Sequence, residues 1–151
     1  ALRSSGLDAR LWLLGADQAG RADYLAELRA EAAGLGVEAA LAISPPTSDM
    51  VAAYAASDLV LQLSRKPEAF GRTVVEASGV GRPVLGWAHG GVGELLAALQ
   101  PAGAVPVFDE TRLAQVARAC LAQPPALPAS LPYTLQAMQR ATLAVYEELV
   151  A

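Results

Sequence analysis

Along this chain the apolar residues alternate between short unbroken runs and a spacing of three to four. The run ARLWLLG (9–15) stops at Gly15 and predicts a buried strand. RADYLAELRAEAAGLG (21–36) sets Leu25, Leu28, Ala32 and Leu35 on one helical face, with Gly34 and Gly36 as its stop. VEAALAI (37–43) predicts a second strand, closed by Ser44-Pro45-Pro46. Residues 47–57 predict a short helix with Thr47 and Ser48 as caps and Met50, Val51 and Tyr54 as its apolar side. DLVLQLS (58–64) predicts a third strand, 73–80 a helix, and PVLGWA (83–88) a fourth strand. His89-Gly90-Gly91 predicts a loop before a helix at 92–99; AVPVF (104–108) predicts a fifth strand and 111–122 another helix. After a proline-rich connector at 123–132, a final helix over 133–150 aligns Leu135, Met138, Thr142, Val145 and Leu149.

Nearly all-apolar strands alternating with helices specify a parallel sheet covered on both faces. The expected class is α/β, doubly wound, as one Rossmann-like domain over residues 1–151. Ligands of such sheets sit beyond the carboxyl ends of the strands. The loops at 15–20, 44–48, 64–73 and 89–93 are therefore where a site is sought.

Composition narrows the partners. The chain is 54% hydrophobic and 17% charged, an excess of alanine and leucine rather than a membrane signature. It has no uninterrupted apolar run of the roughly 18 residues a spanning helix needs, and ALRSSGLDAR lacks a signal peptide's apolar segment. A net charge of −4 argues against a nucleic-acid partner. The single cysteine, Cys120, cannot form an internal disulfide, which suits a reducing, cytosolic setting, and its apolar helical surroundings suit core packing. One histidine and one cysteine give a metal site no support.

Candidate chemistry lies in PEAFGRTVVEASG (67–79), where Glu68 and Glu76 flank a Phe-Gly step. Gly71 permits a corner that a Cβ resists. The amides of Gly71, Arg72 and Thr73 fall at a helix start, where unpaired donors and the helix dipole attract phosphate. Ionised carboxylates repel phosphate but accept hydrogen bonds from hydroxyls. A sugar nucleotide, a diphosphate between two polyhydroxylated rings, offers both parts. The competing reading is a capping box, Thr73-x-x-Glu76, with Glu68 an exposed loop acid.

The stretch 68–76 also resembles the E-x7-E motif of retaining glycosyltransferases of the GT-B fold, family 4 in particular. Tyr54 to Val60 resembles the helix, Ala-Asp, strand segment that precedes that motif. Glu76 to Leu85 is similar to EAMA-x-G-x-PV, and Gly90-Gly91-Val92-Gly93-Glu94-Leu95 to GG-x-x-E-L. The resemblance covers most of 9–150, in order. It implies the C-terminal, donor-binding domain of an enzyme that moves a hexose-type sugar from a nucleoside diphosphate to an acceptor. Glu76 would bind ribose hydroxyls and Glu68, the catalytic candidate, would orient the donor sugar. Phe70, Gly71 and Arg72 would face sugar and diphosphate, with Thr73 at the helix start, and Ile43 and Ser44 would lie near the base. It implies no metal and no cofactor, and a cytoplasmic location, peripheral to the inner face of the membrane if the acceptor is lipid-linked.

Departures from the pattern carry expectations of their own. Arg72 replaces the apolar residue usual after Phe-Gly; it either pairs with phosphate or points to solvent. His89, before the Gly-Gly, suits a structural role. The family's opening strand with Gly-Arg, its basic helix start and the acceptor-binding domain have no counterpart. The chain is thus expected to be a fragment that by itself binds rather than turns over. Its acceptor, a glycan or lipid-linked saccharide, would be held by the other domain, to which helix 133–150 would cross. A compromised core or a dimer through an exposed sheet edge is the corollary. Two rivals remain at this point: a non-catalytic nucleotide-sugar-binding module, and a flavodoxin-like interaction domain with an accidental E-x7-E. A phosphoacceptor receiver fits poorly, since Asp17 alone follows the first strand and no lysine closes a later one.

Overall fold

The computed structural model describes residues 1–150. They form two compact units, Ala1–Ala53 and the part from Tyr54 onward. In the first, strand β1 (Leu11–Leu14) pairs in parallel with β2 (Leu41–Ser44), with helix α1 (Ala22–Gly34) between them in sequence. The register runs from Leu11 opposite Leu41 to Leu14 opposite Ser44. The predicted strand at 37–43 is displaced, because Glu38–Ala40 form a 3-10 turn and pairing starts only at Leu41. The first strand is not buried: Leu11 and Trp12 are 45% and 40% exposed. Ala32, Ala40 and Ala53 are the buried hydrophobic residues of this unit, and its larger apolar side chains, Leu13, Leu14, Leu25 and Leu28 among them, are only half-buried. An apolar run reports what a strand carries, not what covers it. Leu35, counted on the helical face, follows the last turn of α1 and is exposed.

Helix α2 (Met50–Ala55) starts later than predicted. Asp49 is its cap: Oδ1 accepts from the Ala52 amide at 2.9 Å, while Thr47 Oγ1 accepts from the Asp49 amide at 3.1 Å. Ala53 and Tyr54, rather than Val51, make its buried face.

The second unit carries a three-stranded parallel ladder in the order β3 (Val60–Gln62), β4 (Val84–Trp87), β5 (Ala104–Val105). Helices α3 (Arg72–Gly79), α4 (Gly90–Leu99) and α5 (Glu110–Ala122) belong to the same unit. Val84 and Leu85 point to opposite faces of β4 and both are 0% exposed, so helices cover the sheet on both sides. Val74 and Ala77 of α3, Val92, Leu95, Leu96 and Leu99 of α4, and Ala117 and Cys120 of α5 complete this core. The five strands thus form two parallel ladders, of two and three strands, and β1 and β3 are each paired on one edge only among the described residues.

Boundaries in this unit shorten for local reasons. The predicted fifth strand ends at Val105: Pro106 has no amide to pair, and Phe108 turns the chain at φ 63°. Asp109 then caps α5, its Oδ1 accepting from the Arg112 amide at 2.8 Å. Helix α4 begins at Gly90, so the two glycines read as a loop lie in its first turn. The last helix, α6 (Leu135–Val150), buries none of its residues, its predicted stripe included.

A single amide side chain clamps β4. Gln100 is 2% exposed; its Oε1 accepts from the Val84 amide at 2.9 Å and its Nε2 donates to the Val84 carbonyl at 3.0 Å. Ser78 is the opposite case, a buried hydroxyl on α3 that has no partner among the described residues. Ser78→Ala removes an unpaired polar group and improves helix propensity, so a gain of about 1 kcal/mol is expected, read as a higher urea midpoint. A lower midpoint would show that the hydroxyl has a partner in solution.

Candidate active site

The loop from Ser64 to Gly71 leaves the carboxyl end of β3 and returns as α3. Gly71 makes the corner at φ 92° and is the residue before the helix. The predicted capping box is absent: Thr73 lies inside the helix and no side chain caps its start. The amides of Gly71, Arg72 and Thr73 have no acceptor among the described residues, while the Val74 amide bonds the Gly71 carbonyl at 3.0 Å. Three adjacent donors at a helix start make a place for an anion.

This loop is held against the start of α4. The Gly91 amide donates to the Glu68 carbonyl at 2.8 Å. A Cβ on Gly91 would lie 2.5 Å from the Phe70 carbonyl oxygen, and one on Gly90 2.7 Å from that of Glu68. The glycine pair therefore serves close backbone approach, and the Gly91 amide is already used. His89 joins the same contact: its Nε2 lies 3.1 Å from the Ser64 carbonyl, which can only accept, so Nε2 carries the proton. Its ring also meets Phe108 edge-on at 6.3 Å, and Arg65 stacks over Phe108 at 5.1 Å.

Each glutamate has its own partners. Glu68 Oε1 accepts from Gln62 Nε2 at 2.6 Å and from Ser64 Oγ at 2.7 Å. These bonds fix the carboxylate at the end of β3 and leave Oε2 open. Glu76 Oε2 accepts from the Tyr54 hydroxyl at 2.9 Å. Its Oε1 accepts from Arg72 Nη2 at 2.8 Å and Nε at 3.2 Å. Arg72 thus points to solvent, one of the two alternatives read from the sequence, and from there pairs with Glu76. Burial first, then the hydrogen bond to Glu76 and its charge, push the Tyr54 phenol up; the Thr73 hydroxyl and the Arg72 charge act the other way. The phenol accordingly stays a donor to Glu76 throughout the neutral range.

Tyr54, Gln62 and Ser64 are positioning residues that the sequence reading did not single out. A buried tyrosine needs a partner for its hydroxyl, which was the available signal for Tyr54. Gln62, polar in an otherwise apolar strand, was a second. Phe70 turns its ring toward Tyr133, edge-on at 5.8 Å, beside an open groove of about 600 Å³ lined also by Leu135 and Met138. Neither glutamate lines that groove. Ile43 and Ser44 belong to the first unit, where Ser44 Oγ accepts from Trp12 Nε1 at 2.8 Å. Among the described residues no three His, Cys, Asp or Glu side chains gather as metal ligands, and no helix is long and apolar enough to cross a membrane.

Solved structures share this architecture. Anabaena Alr3699/HepE in complex with UDP and glucose aligns with a TM-score of 0.68 at 31% identity, over 76% of this chain and 31% of that one. The same protein in complex with UDP-glucose gives 0.60 at 30%, over 68% and 28%. A glycosyltransferase from Rickettsia africae ESF-5 gives 0.79 at 20%, over 98% of this chain and 42% of that one, a likeness of fold. The chain therefore spans less than half the length of each of these proteins. No curated protein matches it. The family model of the glycosyl transferases group 1 matches residues 2–131, a span that contains both glutamates and the corner between them, so the chain belongs to that family.

Proposed function

We propose that this chain is the nucleotide-sugar-binding part of a retaining, GT-B-type glycosyltransferase that takes a hexose from a nucleoside diphosphate. The observation that carries the reading is the set of three unpaired amides at Gly71, Arg72 and Thr73, bracketed by the two held carboxylates. In this reading the amides and the α3 dipole receive the diphosphate. Glu76, braced by Tyr54, accepts from the ribose hydroxyls. Glu68 turns its open Oε2 to the donor sugar.

Cleavage at the anomeric carbon leaves negative charge on the departing diphosphate. Donors already aimed at that position lower the barrier without reorganising. No metal or cofactor is invoked. The acceptor, a glycan or lipid-linked saccharide, is assigned to another domain, to which α6 would cross, and the described chain is expected to bind donor without turnover. The site of action is placed in the cytoplasm, at the inner membrane face for a lipid-linked acceptor. UDP is the first nucleotide to test, since the Anabaena protein binds it.

Calorimetric titration with UDP, UDP-glucose and GDP-glucose decides the matter, with Glu76→Ala as the control. A uridine nucleotide is expected to bind, and the variant to lose roughly 10- to 100-fold, the worth of a hydrogen bond to a charged group. Absence of binding by any nucleotide, or binding indifferent to Glu76, rejects the proposal.

A further inference from the structure

Arg72, the first residue of α3, has a defined partner in the structure. Its guanidinium donates twice to Glu76 Oε1, at 2.8 and 3.2 Å, while Tyr54 holds Oε2. Both oxygens of the carboxylate assigned to the ribose hydroxyls are therefore already accepting. The two partners differ in what it takes to remove them. Tyr54 is 6% exposed and fixed by packing. The Arg72 side chain is 84% exposed, and an exposed pair at i, i+4 is preferred only about twofold over its open form.

Ribose hydroxyls and the guanidinium are both donors and compete for Oε1. A nucleoside offers Arg72 only neutral acceptors in exchange for a carboxylate. A diphosphate offers charged ones: the backbone amide of Arg72 is one of the three free donors at the start of α3, so its side chain springs from the place where that anion would sit. Paired with phosphate, a guanidinium forms charge-assisted bonds stronger than those to a single exposed carboxylate oxygen.

We propose that Arg72 is a specificity-determining residue that ties occupation of Glu76 to the presence of phosphate. In the empty protein it covers Glu76. When a nucleoside diphosphate arrives it passes to the phosphates and yields Oε1 to the ribose. The chain then discriminates nucleoside diphosphates from nucleosides by more than the phosphate's own contacts. This rests on the reading of Glu76 and the α3 start as the donor site.

The test compares uridine and UDP against the unaltered chain, Arg72→Ala and Arg72→Lys, by magnetic resonance titration that reaches millimolar affinities. In Arg72→Ala, uridine is expected to bind about twofold tighter and UDP at least tenfold weaker, so the two affinities move in opposite directions. Arg72→Lys, which keeps the charge but not the fork, is expected to fall between on UDP. If both ligands tighten together, Arg72 is only an obstacle; if neither changes, it is a bystander; either result overturns the proposal. Failure of the donor-site reading looks different: UDP then does not bind the unaltered chain, or binds it independently of Glu76→Ala, and the proposal falls with it.

Discussion

Gly91→Ala is expected to destabilise the chain by about 2–4 kcal/mol and to weaken nucleotide binding with it. The added Cβ would sit 2.5 Å from the Phe70 carbonyl oxygen and 2.6 Å from its carbonyl carbon and Cα. These are backbone atoms, so no side chain can swing away. Either α4 or the Glu68–Gly71 loop must retreat, and the 2.8 Å bond from the Gly91 amide to the Glu68 carbonyl stretches or breaks. The retreat moves the loop that carries Glu68 and the corner before α3, so stability and affinity fall together. Gly79→Ala is the control: its Cβ meets only Leu131 Cδ1 at 3.5 Å, an ordinary contact. Urea unfolding followed by circular dichroism measures the difference. An unchanged midpoint for Gly91→Ala would mean that the Glu68–Gly71 loop and α4 are not in close contact.

The other large effect lies at Gln100. Gln100→Ala strips partners from the amide and the carbonyl of Val84, inside a strand whose four residues are all buried. Each orphaned group costs about 1–3 kcal/mol, so a loss of about 2–5 kcal/mol is expected. Gln100→Met separates polar pairing from volume, since it nearly fills the space and pairs nothing. Equal losses in both variants support the clamp. Full stability in the methionine variant would reassign the role of Gln100 to packing.

What the sequence made legible followed from rules that act locally. The unbroken apolar run 83–88 found the most buried strand, and Gly71 with the apolar spacing after it found the corner and the start of α3. The pair of acids around that corner was visible as a motif. What escaped depended on contacts distant in sequence. Nothing in ARLWLLG tells that Leu11 and Trp12 stay exposed. Tyr54 read as an apolar helix position, yet its hydroxyl braces a carboxylate 22 residues on. Gln100 follows Leu96 by one helical turn and so continues the buried row of α4, a signal that a search for apolar residues passes over. Arg72 read as a choice between phosphate and solvent because its pairing with Glu76, on its own helix face, needs the helix to start one residue earlier than predicted.

Cys120 carries a further consequence. The chain's one thiol is buried on α5, and that burial pushes its pKa up, which keeps it protonated and poorly nucleophilic near neutrality. An alkylating reagent is therefore expected to modify it fastest in molecules whose α5 has come away from the sheet. The pace of labelling then follows those molecules, and a bound ligand that holds the second unit closed is expected to slow it. The sulfur serves as an internal clock for opening, with no engineered probe required.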